Sequence, residues 1–160
     1  MKLINIEKFL SLETYNTDER LSRKKGSGGT QEVFTPYVLV KKMCEKVSEE
    51  DWKNPEKTFL EPSFGNGQFL IYIVYNRIQH GVSWKDTLST LYGVELMADN
   101  VQETKDRIFK LLDEMNVDYS RREAQEIMDH NLVCSDFFKW DFDNWKPIEE
   151  EKEPESIALF

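Results

Sequence analysis

Cysteine is scarce in this chain: Cys44 and Cys134 are the only two among 160 residues. Two thiols cannot build the disulfide framework of a small secreted domain, and they read as free thiols of a reducing compartment. Long apolar runs are missing too. Nothing approaches the roughly 18 consecutive apolar residues of a membrane-spanning helix, so no membrane association is expected. The apolar stretch at the N-terminus, Met1 to Leu10, is interrupted by Glu7 and Lys8 and has no signal-peptide core, which points to a cytoplasmic protein. His80 and His130 are the only histidines and do not cluster with cysteine, so no metal site and no Ser-His-Asp arrangement is expected. Positive charge is short as well. The net charge is −9, with about +1 over residues 1–50 and −10 over residues 51–160. Such a surface does not favour broad nucleic-acid binding. Any DNA contact is confined to the local patch Arg20, Arg23, Lys24 and Lys25, which reads more readily as a solvated basic loop than as a phosphate clamp.

What is present suffices for a core. Apolar residues make up 39% and aromatics 12%, and the length suits one domain. Residues 1–30 form a polar N-terminal arm ending in the flexible joint Gly26-Ser27-Gly28-Gly29, with Ile4, Ile6, Phe9 and Leu10 able to pack as a short helix. Residues 31–145 hold the main domain, and residues 146–160 read as an acidic tail. Within the domain, Thr35 as N-cap and Pro36 as first helical residue open a helix over 36–48. A short buried strand, Thr58 to Glu61, leads through Pro62-Ser63-Phe64-Gly65-Asn66-Gly67 into a helix from Gln68 to His80-Gly81. A helix over 83–90 starts at Ser83, with Asp86 three residues on. Leu91 to Leu96 is a strand, 98–115 a helix, Ser120 to His130 a further helix, and Leu132 to Cys134 a third strand. Short apolar strands alternating with helices predict an α/β fold: a parallel sheet sandwiched by helices, with right-handed crossovers. Trp140 and Trp145, flanking Asp141 and Asp143, read as a partner-facing patch or as core.

Three strands each end in an acid: Glu61, Glu95 and Asp136. Parallel sheets bind ligands beyond these ends. The first turn is not a dinucleotide fingerprint, because the third glycine is missing and Glu61 would repel a pyrophosphate. It is not a phosphate loop either, because no Gly-Lys-Ser/Thr follows. An acid there suits a cationic or amine-bearing ligand, with Gly65 and Gly67 allowing close backbone approach. Glu95 stands where a ribose diol would lie, and Asp136 can accept from an adenine amine. Amine, ribose and adenine together describe S-adenosylmethionine.

These segments resemble the S-adenosylmethionine-dependent DNA methyltransferases that act on adenine N6, in the group with its cofactor motifs first. Glu32-Val33-Phe34-Thr35-Pro36 is similar to the upstream cofactor motif, and Leu60 to Leu70 to the glycine-loop motif. Tyr92-Gly93-Val94-Glu95-Leu96 is similar to the ribose motif, and Asn131 to Phe138 to the adenine motif. The resemblance implies a Rossmann-like methyltransferase fold. Thr35 and Pro36 would border the methionine end of the cofactor, and Glu61 would face its amino group. Ser63, Gly65 and Gly67 would line the pocket by backbone. Glu95 would hold the ribose, with Leu96 on the adenine. Asp136 would meet N6, with Phe137 packing nearby or simply in the core.

The family's catalytic motif, Asn/Asp/Ser-Pro-Pro-Tyr/Phe, is missing. Its acceptors would take the hydrogens of the poorly nucleophilic N6 amine, and its aromatic would stack the flipped base. Asn54-Pro55-Glu56-Lys57 lacks the second proline and the aromatic. No catalytic residue is therefore assigned. Family members use seven strands and only three or four are found here, with Ser156 to Phe160 either a fourth strand or the end of a tail. An incomplete sheet predicts a homodimer or a second polypeptide that completes it. The expected function is a cofactor-binding methyltransferase-like protein not catalytic alone. The alternative is a non-catalytic binding or regulatory protein acting through its acidic surface and open sheet edge. Methylation of another amine, in a protein glutamine or an RNA base, stays open.

Overall fold

The computed structural model describes residues 1–11 and 34–149. The basic cluster Arg20 to Lys25, the joint Gly26 to Gly29 and the stretch Ser156 to Phe160 lie outside the described residues. Among the described residues no helix is long and apolar enough to cross a membrane.

Local chemistry explains most element boundaries. Asn5 caps α1 (Ile6–Phe9) by accepting from the Lys8 amide, and Ile6 and Leu10 enter the hydrophobic core, so the start of the arm belongs to the domain. Helix α2 (Tyr37–Cys44) starts one residue later than the Thr35-Pro36 pair suggests. Pro36 is itself the N-cap, with extended backbone and no side-chain cap. Residues before proline are pushed out of the helical region, which leaves Thr35 free to turn its carbonyl elsewhere. Helix α3 (Glu49–Lys53) was not expected. Its signal is Ser48, whose hydroxyl accepts from the Asp51 amide at 3.1 Å.

Strand β1 (Phe59–Glu61) leads to α4 (Gln68–Gln79), which buries Leu70, Ile71, Ile73, Val74 and Ile78. It stops at Gly81, where φ is +86°, with Gly81 N–H donating to Ile78 and Val82 N–H to Arg77. This paired closure satisfies two terminal carbonyls and needs a left-handed residue. Ser83 caps α5 (Trp84–Ser89) through the Asp86 amide. Then follow β2 (Leu91–Glu95), α6 (Ala98–Glu114), α7 (Arg121–Asn131) capped by Ser120, and β3 (Leu132–Cys134). A single 3₁₀ turn, Phe137–Lys139, leads into a hairpin of β4 (Trp140–Asp141) and β5 (Lys146–Pro147). The tail expected from residue 146 thus starts inside a hairpin. Asp141 closes that hairpin by accepting from the Asp143 and Asn144 amides.

The fold is α/β, with a three-stranded parallel sheet in the order β1-β2-β3, flanked by helices. The expected two-sided sandwich is one-sided among the described residues. Phe59, Leu91 and Leu132 share a face, and all three join the one hydrophobic cluster that contains the helix cores. Leu60, Tyr92, Val94 and Val133 form the other face and lie outside that cluster; Leu60 is 50% exposed, whereas Val94 is fully buried. The reason is chirality. Two successive right-handed crossovers that step the same way, from β1 to β2 to β3, place both sets of helices on one face. The second face meets the hairpin instead. The Trp145 ring lies edge-on to Tyr92 at 4.8 Å and to the buried Trp140 at 5.3 Å, and its indole N–H donates to the His130 carbonyl. These tryptophans pack within the molecule.

Arg77 is fully buried in α4, where a helix-periodic reading expects an apolar side chain. Its guanidinium donates to the carbonyls of Asn54 and Pro55 at 2.9 and 3.2 Å and to the Thr90 hydroxyl at 3.2 Å. It also sits 5.2 Å from the Phe59 ring centre. One fork thereby joins the chain just before β1 to the chain just before β2. Arg77→Lys keeps the charge but cannot span these acceptors. It is expected to cost about 1–2 kcal/mol, read as a lower thermal midpoint with the fold retained.

Candidate functional site at the strand ends

The turn after β1 is held by several contacts within the protein. Glu61 accepts from the Ser63 amide at 3.2 Å. Phe64 N–H reaches the Val94 carbonyl, and the Phe64 ring lies over Gly93, where a Cβ would sit 2.5 Å from the ring. Gly67 has φ +87°, and a Cβ there would meet Thr104 Cγ2 at 2.5 Å. The space that Gly67 leaves is therefore filled by α6 and not held open for a ligand. Gly65, with φ +53°, faces the Phe34 ring, 3.6 Å from where its Cβ would be. Thr104 Oγ1 donates to the Gly65 carbonyl at 3.3 Å, and Arg107 donates to the Asn66 carbonyl at 2.6 Å.

The three acids differ in what they do. Glu95 is 7% exposed. One of its oxygens accepts from the Gly65 amide at 2.8 Å and the other from the Met97 amide at 3.0 Å, so it braces the glycine turn against the β2–α6 turn. Asp136 is half-buried and caps the 3₁₀ turn through the Phe138 amide at 2.9 Å. Glu61 is also half-buried, and burial pushes its carboxyl above the usual range while the Ser63 amide opposes the shift. Burial, then the nearby Glu61, pushes the Cys44 thiol up to about 11, so it stays protonated and unreactive at neutral pH.

An ionised Glu61 therefore opposes folding at neutral pH. Because its folded-state pKa is raised, its contribution to stability is most favourable when protonated and falls as pH rises through that value. Glu61→Gln is expected to raise the thermal midpoint at pH 7 by a degree or two, on the order of 0.5 kcal/mol. The gain should vanish as pH falls below the carboxylate range, where the native side chain is neutral too. Thermal melts at pH 7 and pH 4 check this.

A cleft of about 470 Å³ opens beside the turn, lined by Ser63, Leu96, Ser135, Asp136, Phe137 and Phe138, with Pro62 at its rim. Leu96 and both phenylalanines are exposed, Phe138 at 83%, and the two phenylalanine rings meet edge-on at 5.2 Å. Apolar walls with one carboxylate and two hydroxyls suit a flat aromatic ligand that carries an amine. Of the residues singled out in the sequence, Ser63, Leu96, Asp136 and Phe137 come together in this cleft. Glu61 and Glu95 stand at neighbouring strand ends, with Gly65 and Gly67 in the turn. Pro36 lines a different groove, beside Lys8, Leu10 and Tyr37, and the Thr35 carbonyl is taken by Gln68. The sequence reading missed Gln68, Thr104 and Arg107 as supports of the turn, because polar residues on a helix ordinarily face solvent. Phe34, within the segment similar to the upstream cofactor motif, packs its ring against the turn at Gly65. Among the described residues no group of three or more His, Cys, Asp or Glu side chains is placed to hold a metal ion. No protein-family model, curated protein or solved structure matches the chain.

Proposed function

We propose that this protein binds S-adenosylmethionine on a Rossmann-like scaffold of the adenine-N6 DNA methyltransferase type, in the cytoplasm, and does not transfer the methyl group by itself. The observation that carries this reading is the cleft at the carboxyl ends of parallel strands, with a glycine turn on one side and Asp136 between apolar walls on the other. In it, Asp136 would accept from the adenine amine and Leu96 and Phe137 would cover the ring, while Glu61, at the neighbouring end of β1, would meet the methionine ammonium. The acceptors that raise electron density on a target amine are missing from the sequence. They would come from a second polypeptide seated on the unpaired edge of β1; a second copy could extend the sheet there but lacks the same acceptors. The net charge of −9 gives DNA no general attraction to this chain.

Calorimetric titration with S-adenosylmethionine and its demethylated product tests the reading, with Asp136→Asn as control. Asparagine keeps an acceptor for the Phe138 amide but loses the carboxylate. Saturable binding weakened roughly tenfold or more in the variant is expected. No binding at millimolar ligand would sink the proposal. A second reading, a binding or regulatory protein that keeps the scaffold alone, is favoured by one observation. Both Glu95 oxygens already hold backbone amides of the molecule itself. That reading expects no cofactor binding and a protein partner for the acidic surface.

A further inference from the structure

We infer that Gln68 is a positioning residue: its buried carboxamide clasps the N-terminal arm and the start of α2 to the glycine turn, so that ligand binding in the strand-end cleft and seating of the arm are coupled. Gln68 is 2% exposed. Its Nε2 group donates to the Leu10 carbonyl at 3.0 Å and to the Thr35 carbonyl at 3.0 Å, residues 58 and 33 positions away in sequence. A carboxamide has two N–H donors, and both are used. Its oxygen accepts from Arg107 Nη2 at 2.7 Å, while Arg107 Nη1 donates to the Asn66 carbonyl. The guanidinium charge polarises the amide and strengthens its donors. One turn earlier on α6, Thr104 holds the Gly65 carbonyl, and Glu95 holds the Gly65 amide. Hydrogen bonds thus link the acid at the end of β2 to the glycine turn, the turn to Thr104 and Arg107 on one face of α6, and Arg107 through Gln68 to Leu10. Apolar packing of Leu10 and Ile6 and the Lys2 N–H bond to the Met115 carbonyl hold the arm on the core; the Gln68 bond to Leu10 ties its far end to the glycine turn. A ligand that orders the turn must then order the arm, and the arm must return the same coupling.

The coupling rests on the reading of the strand-end cleft as a cofactor site; the clasp does not. The test uses the full chain with Gln68→Glu and Gln68→Met. Glutamate keeps the length and the acceptor for Arg107 but, ionised, has no hydrogen to donate to either carbonyl. Hydrogen exchange is followed in residues 1–11 and 34–44, whose reporters include the Phe9, Leu10 and Ser11 amides bonded to Asn5, Ile6 and Lys8. Both variants are expected to exchange there roughly tenfold faster than the native chain. S-adenosylmethionine should slow exchange of the arm in the native chain, and its affinity should fall in both variants. Gln68→Glu with native exchange would show that Gln68 serves only as an acceptor for Arg107, and would overturn the clasp. Loosened arms with unchanged affinity would overturn the coupling. A native chain that binds no S-adenosylmethionine defeats the cofactor reading, and the coupling with it, while the exchange comparison still decides the clasp. Should the variants not fold, the native chain decides it: the Gln68 side-chain amide protons must be protected in nitrogen-resolved spectra, and exchange at the rate of an exposed glutamine refutes the clasp.

Discussion

Gly67→Ala is expected to destabilise the protein by about 2–5 kcal/mol, and Gly81→Ala by only about 1–2 kcal/mol, although the two glycines share nearly the same φ. Gly67 has φ +87° and Gly81 has φ +86°. The strain of placing an L side chain in the left-handed region is therefore common to both. The surroundings are not. A Cβ at Gly81 meets nothing within 4 Å, whereas one at Gly67 falls 2.5 Å from Thr104 Cγ2 and 2.8 Å from Thr104 Oγ1. No real Cβ tolerates those distances, so either the turn or α6 must shift. Thermal melts should show Gly67→Ala lowering the midpoint by about 10 °C, several times the effect of Gly81→Ala. Thr104→Ala removes both close atoms and leaves only the Thr104 Cβ, at 3.1 Å. In that background the excess cost of Gly67→Ala over Gly81→Ala should mostly disappear, while the shared backbone strain remains. Equal costs for the two glycine variants would show that α6 does not press on the turn.

Gly81 and Gly67 also mark the limit of what the sequence makes legible. Gly81 closes a helix, and its reason is local: a periodic apolar run, a histidine at the cap, then a residue able to turn left-handed. Ser83, Ser120 and the three strands were readable in the same way, with Glu61 and Glu95 at the ends of β1 and β2 and Asp136 two residues beyond β3, because capping and strand–turn–helix patterns are decided within a few residues. Gly67 looked like an opening for a ligand. Its space is filled by Thr104, 37 positions further along, and no window of sequence contains that contact. Arg77 and Gln68 failed to stand out for the same reason. A polar side chain in a helix is solvated or buried according to whether distant carbonyls happen to face it, here those of Asn54 and Pro55 for one and of Leu10 and Thr35 for the other. The one-sided sheet was within reach. Strand order cannot be read from alternation alone, but an order that never reverses, combined with the handedness rule, leaves one face without helices.

Glu95→Ala should cost about 2–3 kcal/mol, because it strips two partly buried amides, those of Gly65 and Met97, of their acceptor at once. Glu95→Gln should cost less, about 1–2 kcal/mol, since its one oxygen can still accept from one amide while its NH₂ group faces the other donor. The order of thermal midpoints, native above Gln above Ala, reads the brace directly. Faster hydrogen exchange at Gly65 and Met97 should accompany it. Loss of cofactor binding in either variant would not by itself show that Glu95 touches a ribose, because a loosened glycine turn would lose ligand as well. The two roles separate when the ligand is changed and the protein is left alone. A carboxylate has about four lone-pair sites, and the two backbone amides occupy one on each oxygen. The remaining pair is what a ribose diol would use. If Glu95 both braces the turn and receives the ribose, the demethylated cofactor must bind the native chain more tightly than its analogue lacking the ribose hydroxyls, by about tenfold. If the brace is all that Glu95 does, the two ligands bind alike, and the acid at the end of β2 serves the fold alone.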